Sequence, residues 1–203
     1  MTLPVWLPST YAIQPGNRAL LSAPPFYCRA MQASDMADVL AIDAVSFPTP
    51  MKQSLLRYEL FENTMAHYQI LVQHQALDGG AENERMVGFA GYWLMGDEVH
   101  ISTIAVLPDW RGRHLGEFLL LNMLFLASAH PVCLMTLEVR RSNVAAQQLY
   151  QKYQFARVGE RLRYYKDTGE DAILMTVTPL NGRYQQFLLA QKRTLLSQIQ
   201  TEA

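Results

Sequence analysis

The chain has 203 residues, half of them apolar and 17% charged. This provides enough apolar side chain for a sizeable core and too little charge for a disordered protein. The net charge of −1 argues against a general nucleic-acid binder, which is usually strongly basic. The net charge is −5 over residues 1–100 and +4 over residues 101–203, so an anionic ligand is expected in the second half.

The first half of the chain predicts one strand, two helices and then three strands, after an irregular start. Five of the ten prolines fall in residues 1–25, which predicts an irregular N-terminal extension. Ser34 and Asp35 are typical of a helix start, because a hydroxyl can cap free N–H groups and an acid suits the first turn. The other predicted elements are a strand at 26–31, a helix at 52–61 after a break at 47–50, paired strands at 65–74 and 85–94 with their loop at 75–84, and a strand at 98–106.

The second half predicts three helices and three strands. They are an apolar helix from the turn at 111–112 to about residue 129, a buried strand at 132–139, a helix at 143–153, strands at 156–165 and 172–177, and an amphipathic helix at 184–198. The resulting order, β-α-α-β-β-β-α-β-α-β-β, predicts an α/β fold with a mixed sheet.

We predict three parts in the chain: an extension at 1–25, one domain at 26–180 and a C-terminal helix at 181–203. That helix is expected either to cover a sheet edge or to pair with a second copy, so a monomer and a weak homodimer both stay open. The residues of such a dimer face would be Phe187, Leu188, Leu195 and Ile199.

The sequence predicts a cytoplasmic protein with no metal and no membrane partner. The longest apolar stretch has 12 residues, at 118–129, whereas a spanning helix needs about 20. No secretory signal is visible at the N-terminus. The two cysteines, Cys28 and Cys133, have no zinc-like spacing and predict a reduced compartment.

The segment from Ile104 to Gly116 predicts an anion site. A strand ends at Val106 and a helix begins near His114, where free N–H groups and the positive end of the helix dipole attract phosphate. Two arginines add charge, and two glycines allow close approach. The alternative is an ordinary turn with exposed arginines. The glycine spacing fits neither a dinucleotide fingerprint nor a P-loop.

This segment resembles the acetyl-CoA motif of the GNAT N-acetyltransferases, Arg/Gln-x-x-Gly-x-Gly/Ala, with His114 at the first glycine. A second stretch resembles the bacterial ribosomal-protein-alanine N-acetyltransferases within that family. Its matches are Leu137-Glu138-Val139-Arg140, Ser142-Asn143, Ala145-Ala146 and Leu149-Tyr150, with further matches at Ser46-Phe47-Pro48, Arg163-Tyr164-Tyr165 and Gly169 to Ala172. The resemblance covers roughly residues 26–178, and Gln154 stands where the family usually has glycine.

The resemblance implies the GNAT fold, a mixed, mostly antiparallel sheet with helices on both faces. It also implies acetyl transfer from acetyl-CoA, without a metal, to the N-terminal alanine of a small-subunit ribosomal protein. Glu138 matches the general base and Tyr150 the general acid, and the Val106 N–H matches the oxyanion donor. The implied acetyl-CoA residues are Ile104, Ala105, Val106, Arg111, Gly112, Arg113, His114, Leu115, Gly116 and Asn143. The implied acceptor residues are Phe47, Pro48, Tyr164 and Tyr165.

Alternatives stay open for the activity and for single residues. The acceptor could instead be another protein N-terminus, a lysine or a small amine such as a polyamine. A third class of function is a non-enzymatic module that binds acyl-CoA. Glu138 could instead form an ion pair with Arg140 or Arg141. Tyr150 could be a core residue and Asn143 a helix cap. The other titratable residues on strands are Glu98, His100, His67 and His74, of which His100 has a minor claim to a catalytic part.

Overall fold

The computed structural model describes residues 21–76 and 82–202, which form an eight-stranded sheet with helices on both faces. The strands are β1 (Ser22–Ala23), β2 (Phe26–Ala30), β3 (Ala66–Ala76), β4 (Glu82–Met95), β5 (Glu98–Val106), β6 (Leu134–Arg140), β7 (Ala156–Tyr165) and β8 (Glu170–Val177). Their order across the sheet is β1-β2-β3-β4-β5-β6-β8-β7. All neighbouring pairs are antiparallel except β5 and β6, which are parallel.

The helices are α1 (Met36–Ser46), α2 (Gln53–Phe61), α3 (Leu115–Ser128), α4 (Val144–Lys152) and α5 (Gly182–Glu202). The sheet separates two apolar clusters, because successive side chains of a strand point to opposite faces. On β3, Leu71 packs in the cluster with α3 and α5, whereas Ile70 and Val72 pack in the cluster with α1 and α2. Helices therefore cover both faces, as the sequence predicts.

Helix α3 is the centre of the larger cluster. Its residues Phe118 to Leu121 are fully buried, which is expected for a helix that is apolar all round. The buried polar residue Asn122 donates to Gln69 of β3, and Gln69 Nε2 donates to the Leu119 carbonyl oxygen at 2.9 Å. The apolar stretch is thus a core helix. In the described part of the chain, no helix is both long and apolar enough to cross a membrane.

Several predicted boundaries are wrong for local reasons. A 3₁₀ turn at Ala33–Asp35 precedes α1, and Ser34 does not cap it. Asp35 is instead buried in a two-bond ion pair with Arg29, at 2.7 and 2.8 Å. Helix α3 begins at Leu115 with His114 as its N-cap residue, which agrees with the start expected near His114 but not with one at 111–112, because a second 3₁₀ turn and two left-handed residues intervene after β5.

The N-terminal extension and the loop between β3 and β4 also differ in part from the predictions. Within the predicted irregular extension, Ser22–Ala23 forms a strand that pairs with β2, while residues 1–20 lie outside the described residues. The predicted loop at 75–84 is shorter, because β3 runs to Ala76 and β4 starts at Glu82; residues 77–81 also lie outside the described part.

Helix α5 packs against α3 and touches the edge strand β1. Leu188 and Leu195 are fully buried and Ile199 is 2% exposed, all within the chain's own core. The Phe187 ring packs edge-on against Tyr153 at 6.2 Å between centroids. The expected dimer face is therefore wrong, since these side chains already have partners in the same chain. The predicted division into three parts and the oligomeric state stay predictions.

Candidate active site

The site begins where β5 and β6 separate. Their parallel pairing joins Glu98–Ile101 to Leu134–Leu137 and then stops. On the other side of β5, Gly91 of β4 lies opposite Thr103 while Tyr92 lies opposite Ile101, so Ser102 is an extra residue. Such a bulge bends a strand away from its neighbour. The structure therefore contains a bulged strand, β5, that diverges from its parallel neighbour.

A groove of about 750 Å³ occupies this opening. It is lined by the connection between α1 and α2, by the diverging parts of β5 and β6, by the start and middle of α4, and by the end of β7 with the residues that follow. Of the predicted site residues, those that line it are Phe47, Pro48, Ile104, Glu138, Asn143, Tyr150, Tyr164 and Tyr165. The predicted acceptor residues and both predicted catalytic residues thus share one groove.

Glu138 lies in this groove with its side chain only 6% exposed. Its two carboxylate oxygens have different partners: Arg161 Nε lies 2.9 Å from Oε1, and His100 Nε2 lies 3.3 Å from Oε2. The sequence alternative of an ion pair with Arg140 or Arg141 is wrong. Arg140 binds Asp167, Thr168 and Glu170, and Arg141 binds Glu160 and Asp171.

His100 is fixed by stacking. Its ring lies on Trp93 with 5.4 Å between centroids and 21° between planes. The indole Nε1 of Trp93 donates to Glu59 Oε2 at 2.7 Å. Burial lowers the pKa of His100, the Glu138 carboxylate opposes this, and the Arg161 charge adds to the lowering, so the net direction is downward.

Tyr150 is positioned by the end of α4. The helix ends in a left-handed residue, Gln154, at a φ of 67°. The Phe155 N–H donates to the Tyr150 carbonyl oxygen at 3.0 Å, and the Gln154 N–H donates to Gln151 at 2.9 Å. The Tyr150 and Phe155 rings pack at 5.9 Å between centroids. Burial, with a smaller contribution from Tyr165, raises the pKa of the Tyr150 phenol, so it is a proton donor throughout the neutral range.

The loop before α3 has the geometry of an anion site. Gly112 has a φ of 78°, and an added Cβ there would meet nothing within 4 Å. His114, which precedes α3, has a φ of 57°. Glycine adopts this left-handed conformation readily, and glycine is the residue that the acetyl-CoA motif has at this position. The His114 Nδ1 lies 3.4 Å from Glu117 Oε2, so the imidazole turns along the first turn of α3. The free N–H groups at this helix start suit a pyrophosphate.

The two arginines of this loop have contacts within the protein. Arg111 Nε donates to the Val106 carbonyl oxygen at 3.0 Å, and its Nη2 lies 3.4 Å from Ser46 Oγ. Arg113 stacks on Trp110 with its guanidinium carbon 4.9 Å from the ring centroid. Both cations therefore border the loop, and the residues present fit the phosphate end of acetyl-CoA.

Free backbone groups on β5 face the opening. The Leu107 N–H donates to the Val87 carbonyl oxygen at 2.9 Å. Alternate residues of an antiparallel ladder point their N–H groups toward the partner strand, so those of Val106 and Ile104 point away from β4. They point into the gap where β6 has diverged, a geometry that suits the pantetheine arm and a developing oxyanion.

Asn143 caps α4, as one alternative predicts: its Oδ1 accepts from the Ala146 N–H at 3.1 Å. Its contact with acetyl-CoA stays a prediction. Glu98 is an exposed acid at the strand start. His67 stacks on Tyr92 with 4.9 Å between ring centroids, outside the groove. Within the described residues, no three His, Cys, Asp or Glu side chains are grouped to hold a metal ion.

Sequence reasoning missed Arg161 and Trp93 as neighbours of the site. The register offers a signal for His100, which pairs with Thr136 and so lies near Glu138, two residues farther along the same face of β6. No comparable signal points to Arg161, because β8 lies between β6 and β7 in the sheet.

Residues 37–155 match the model of the acetyltransferase (GNAT) family, which is more than half of the chain. The chain therefore belongs to this family, and the fold and the acetyl-CoA-dependent N-acetyltransferase class predicted from sequence are confirmed.

The chain is similar to a protein of Bacillus subtilis (strain 168) that is provisionally named a [ribosomal protein bS18]-alanine N-acetyltransferase. The two are 37% identical over 150 residues, which is 74% of this chain and 93% of that protein. This chain is also 37% identical over 98 residues to the [ribosomal protein bS18]-alanine N-acetyltransferase of Escherichia coli (strain K12). The match covers 47% of this chain and 66% of that protein. The crystal structure of the ribosomal-protein-S18-alanine N-acetyltransferase from Escherichia coli matches with a TM-score of 0.65 and 26% identity. That match covers 76% of this chain and 94% of the other.

Proposed function

We propose that the protein transfers the acetyl group of acetyl-CoA to the N-terminal amine of a ribosomal protein, the N-terminal alanine of bS18. One observation carries the proposal: a buried carboxylate, Glu138, and a protonated phenol, Tyr150, line the same groove where β5 and β6 diverge. The names of the relatives supply the acceptor. A cytoplasmic location is part of this proposal, since ribosomal proteins are the acceptors.

Acetyl-CoA supplies an activated acetyl group in the form of a thioester. The loop from Arg111 to Gly116 holds the phosphates through the free N–H groups at the start of α3. The N–H groups of Ile104 and Val106 bind along the diverging edge of β5, and that of Val106 stabilises the developing oxyanion.

Glu138 takes the proton that the acceptor ammonium must lose before the amine attacks. A protein α-amine has an ordinary pKa of about 7.7–8.0, so a carboxylate with modest basicity is sufficient near neutral pH. Tyr150 gives its proton to the departing thiolate, whose conjugate acid has an ordinary pKa near 8.5. The nitrogen releases its second proton as the amide forms, and through water this proton replaces the one that the phenol gave away.

The groove also bears on the alternative acceptors. Its lining has three acidic side chains, Asp43, Glu138 and Asp167, and three basic ones, Lys52, Arg140 and Lys166. A polyamine would require a strongly negative groove, because each of its amines is a cation. The balanced lining and the apolar Phe47-Pro48 segment instead favour a peptide chain, with Tyr164 and Tyr165 along its other side.

The test is a thiol-release assay with acetyl-CoA and three acceptors: a peptide beginning with alanine, the same peptide with an acetylated N-terminus, and spermidine. We expect turnover with the free peptide alone. Replacing Glu138 with glutamine should lower kcat by about 10²- to 10⁴-fold, the usual contribution of a general base. The matched control is Glu98→Gln, an exposed acid on the neighbouring strand, which should retain full activity.

Turnover with spermidine alone would contradict the proposal and move the acceptor to small amines. Equal activity of the Glu138→Gln and Glu98→Gln variants would remove the base assignment while leaving the acceptor intact. Mass spectrometry of the product peptide should place the acetyl group on the α-amine, and a lysine adduct would overturn the N-terminal specificity.

A further inference from the structure

We propose that Arg161 and His100 are positioning residues for Glu138, which hold its carboxylate charged and aimed into the acceptor groove. The inference deepens the proposed function and rests on Glu138 as the base. Each residue acts through the carboxylate and not on the reacting atoms.

The first support is the burial of Glu138. A carboxylate that is 6% exposed loses most of its hydration, and an unpaired charge in such a place is strongly disfavoured. Nearby partners compensate for part of that loss. Each carboxylate oxygen of Glu138 has one nitrogen close to it, Arg161 Nε at 2.9 Å from Oε1 and His100 Nε2 at 3.3 Å from Oε2.

The two partners of Glu138 come from different strands on opposite flanks of β6. His100 lies on β5, the parallel neighbour, and its stacking on Trp93 fixes the ring. Arg161 lies on the edge strand β7 and extends across β8, where the small residue Ala172 is its register partner. The carboxylate is therefore held from both sides, which fixes its direction as well as its charge.

The protonation state of His100 bears on its contact with Glu138. Burial and the nearby Arg161 charge lower the pKa of His100, against the opposing attraction of Glu138. A neutral imidazole carries one N–H, and a carboxylate only accepts hydrogen bonds. The tautomer with its proton on Nε2, the atom nearest to Glu138, is therefore the one that favours this contact.

Other groups near Glu138 do not replace these partners. Tyr164 faces it from β7, where the Arg161 guanidinium carbon lies 5.6 Å from the ring centroid. The Tyr165 hydroxyl donates to the backbone oxygen of Glu138 at 3.4 Å and not to the carboxylate. Arg140, two residues along β6, is bound to Asp167 and Glu170. Arg161 is thus the nearest cation to the base.

The consequence concerns proton transfer. The acceptor ammonium loses its proton to the Glu138 carboxylate, which becomes a neutral acid and later releases the proton to water. The carboxylate must be charged at the start of each turnover. Removing the Arg161 cation disfavours the charged form, so protonation of Glu138 should occur at higher pH.

The test compares Arg161→Gln and Arg161→Lys with the control Arg157→Gln. Arg157 lies on the same strand and has nearly the same side-chain exposure, 54% against 56%, but it pairs with Glu160. The readout that needs no turnover is the carboxyl ¹³C NMR titration of Glu138, assigned by its loss in Glu138→Gln. We expect the Arg161→Gln midpoint to rise, because removing the cation disfavours the charged carboxylate. Arg161→Lys should restore most of it, and Arg157→Gln should show no change.

The acid limb of kcat/KM for the peptide should move with the same midpoint, while acetyl-CoA affinity by calorimetry stays unchanged. For His100, His100→Gln retains a donor and should be nearly neutral, whereas His100→Phe retains the stacking and should lose about tenfold in kcat. Unchanged titration of Glu138 in Arg161→Gln would overturn the proposal. If the titration moves but the free peptide is not acetylated, the positioning role stands and the proposed acceptor fails.

Discussion

Replacing Gln154 with glycine is expected to stabilise the protein without altering its chemistry. Gln154 has a φ of 67°, a left-handed conformation in which a Cβ crowds the backbone. The residue ends α4, and the two hydrogen bonds that close this end, from Phe155 to Tyr150 and from Gln154 to Gln151, form a Schellman motif. Glycine adopts this conformation without the steric cost.

The magnitude follows from two opposing terms. Removing the Cβ relieves about 1 kcal/mol or slightly more of strain. Glycine also increases the entropy of the unfolded chain, which takes back roughly half of that gain. We therefore expect a net gain of about 0.5–1 kcal/mol in the free energy of unfolding. For a chain of this size, this raises Tm by about 1–4 °C. Urea titration followed by circular dichroism measures the first quantity and a thermal scan the second.

Two control variants test whether the gain in stability comes from the left-handed conformation of Gln154. Gln154→Ala keeps the Cβ and should gain nothing. Gln148→Gly, at an exposed position inside α4, should lose about 1 kcal/mol because glycine is a poor helix former. A Gln154→Gly variant that is no more stable than Gln154→Ala would refute the assignment of strain to this residue.

Two further predictions concern Tyr150 and Asp35. Tyr150→Phe keeps the ring packing on Phe155 but removes the proton donor, so kcat should fall by about 10²- to 10⁴-fold with unchanged affinity for acetyl-CoA; steady-state kinetics with an unchanged kcat would contradict the assignment. Burial alone would raise the pKa of Asp35, but the Arg29 guanidinium and a backbone N–H outweigh it and hold the pKa below its ordinary value. Its contribution to stability is thus present above about pH 4 and is lost as the pH falls through the lowered folded-state pKa. Asp35→Asn should therefore cost about 3 kcal/mol at pH 7 and little in strong acid, which unfolding titrations at several pH values would measure; an equal loss at all pH values would refute the ion-pair explanation.

Local signals predicted much of the fold. The bounds of β5 and β7 are correct to the residue, because each strand is delimited by clear turn or helix-end sequences. Helix α3 was found from its largely apolar composition, which Asn122 interrupts. The groove residues were found because Glu138 and Tyr150 match a family pattern. Caps and 3₁₀ turns were missed, since Asp35 pairs with Arg29 as well as accepting a hydrogen bond from the Gln32 N–H, and a local pattern does not reveal such an ion pair.

The amino-acid sequence by itself determined the family, the order of the elements and the candidate base and acid, because these depend on motifs and on the periodicity of apolar residues. Only the tertiary structure decided which side chains meet. Arg161, rather than the adjacent Arg140 or Arg141, pairs with Glu138, since β7 lies beyond β8 and its side chain reaches back over a small residue. Likewise, the apolar face of α5 packs on the core of its own chain. An amphipathic pattern specifies that a face must be buried, but the surface that covers it depends on how the whole chain packs.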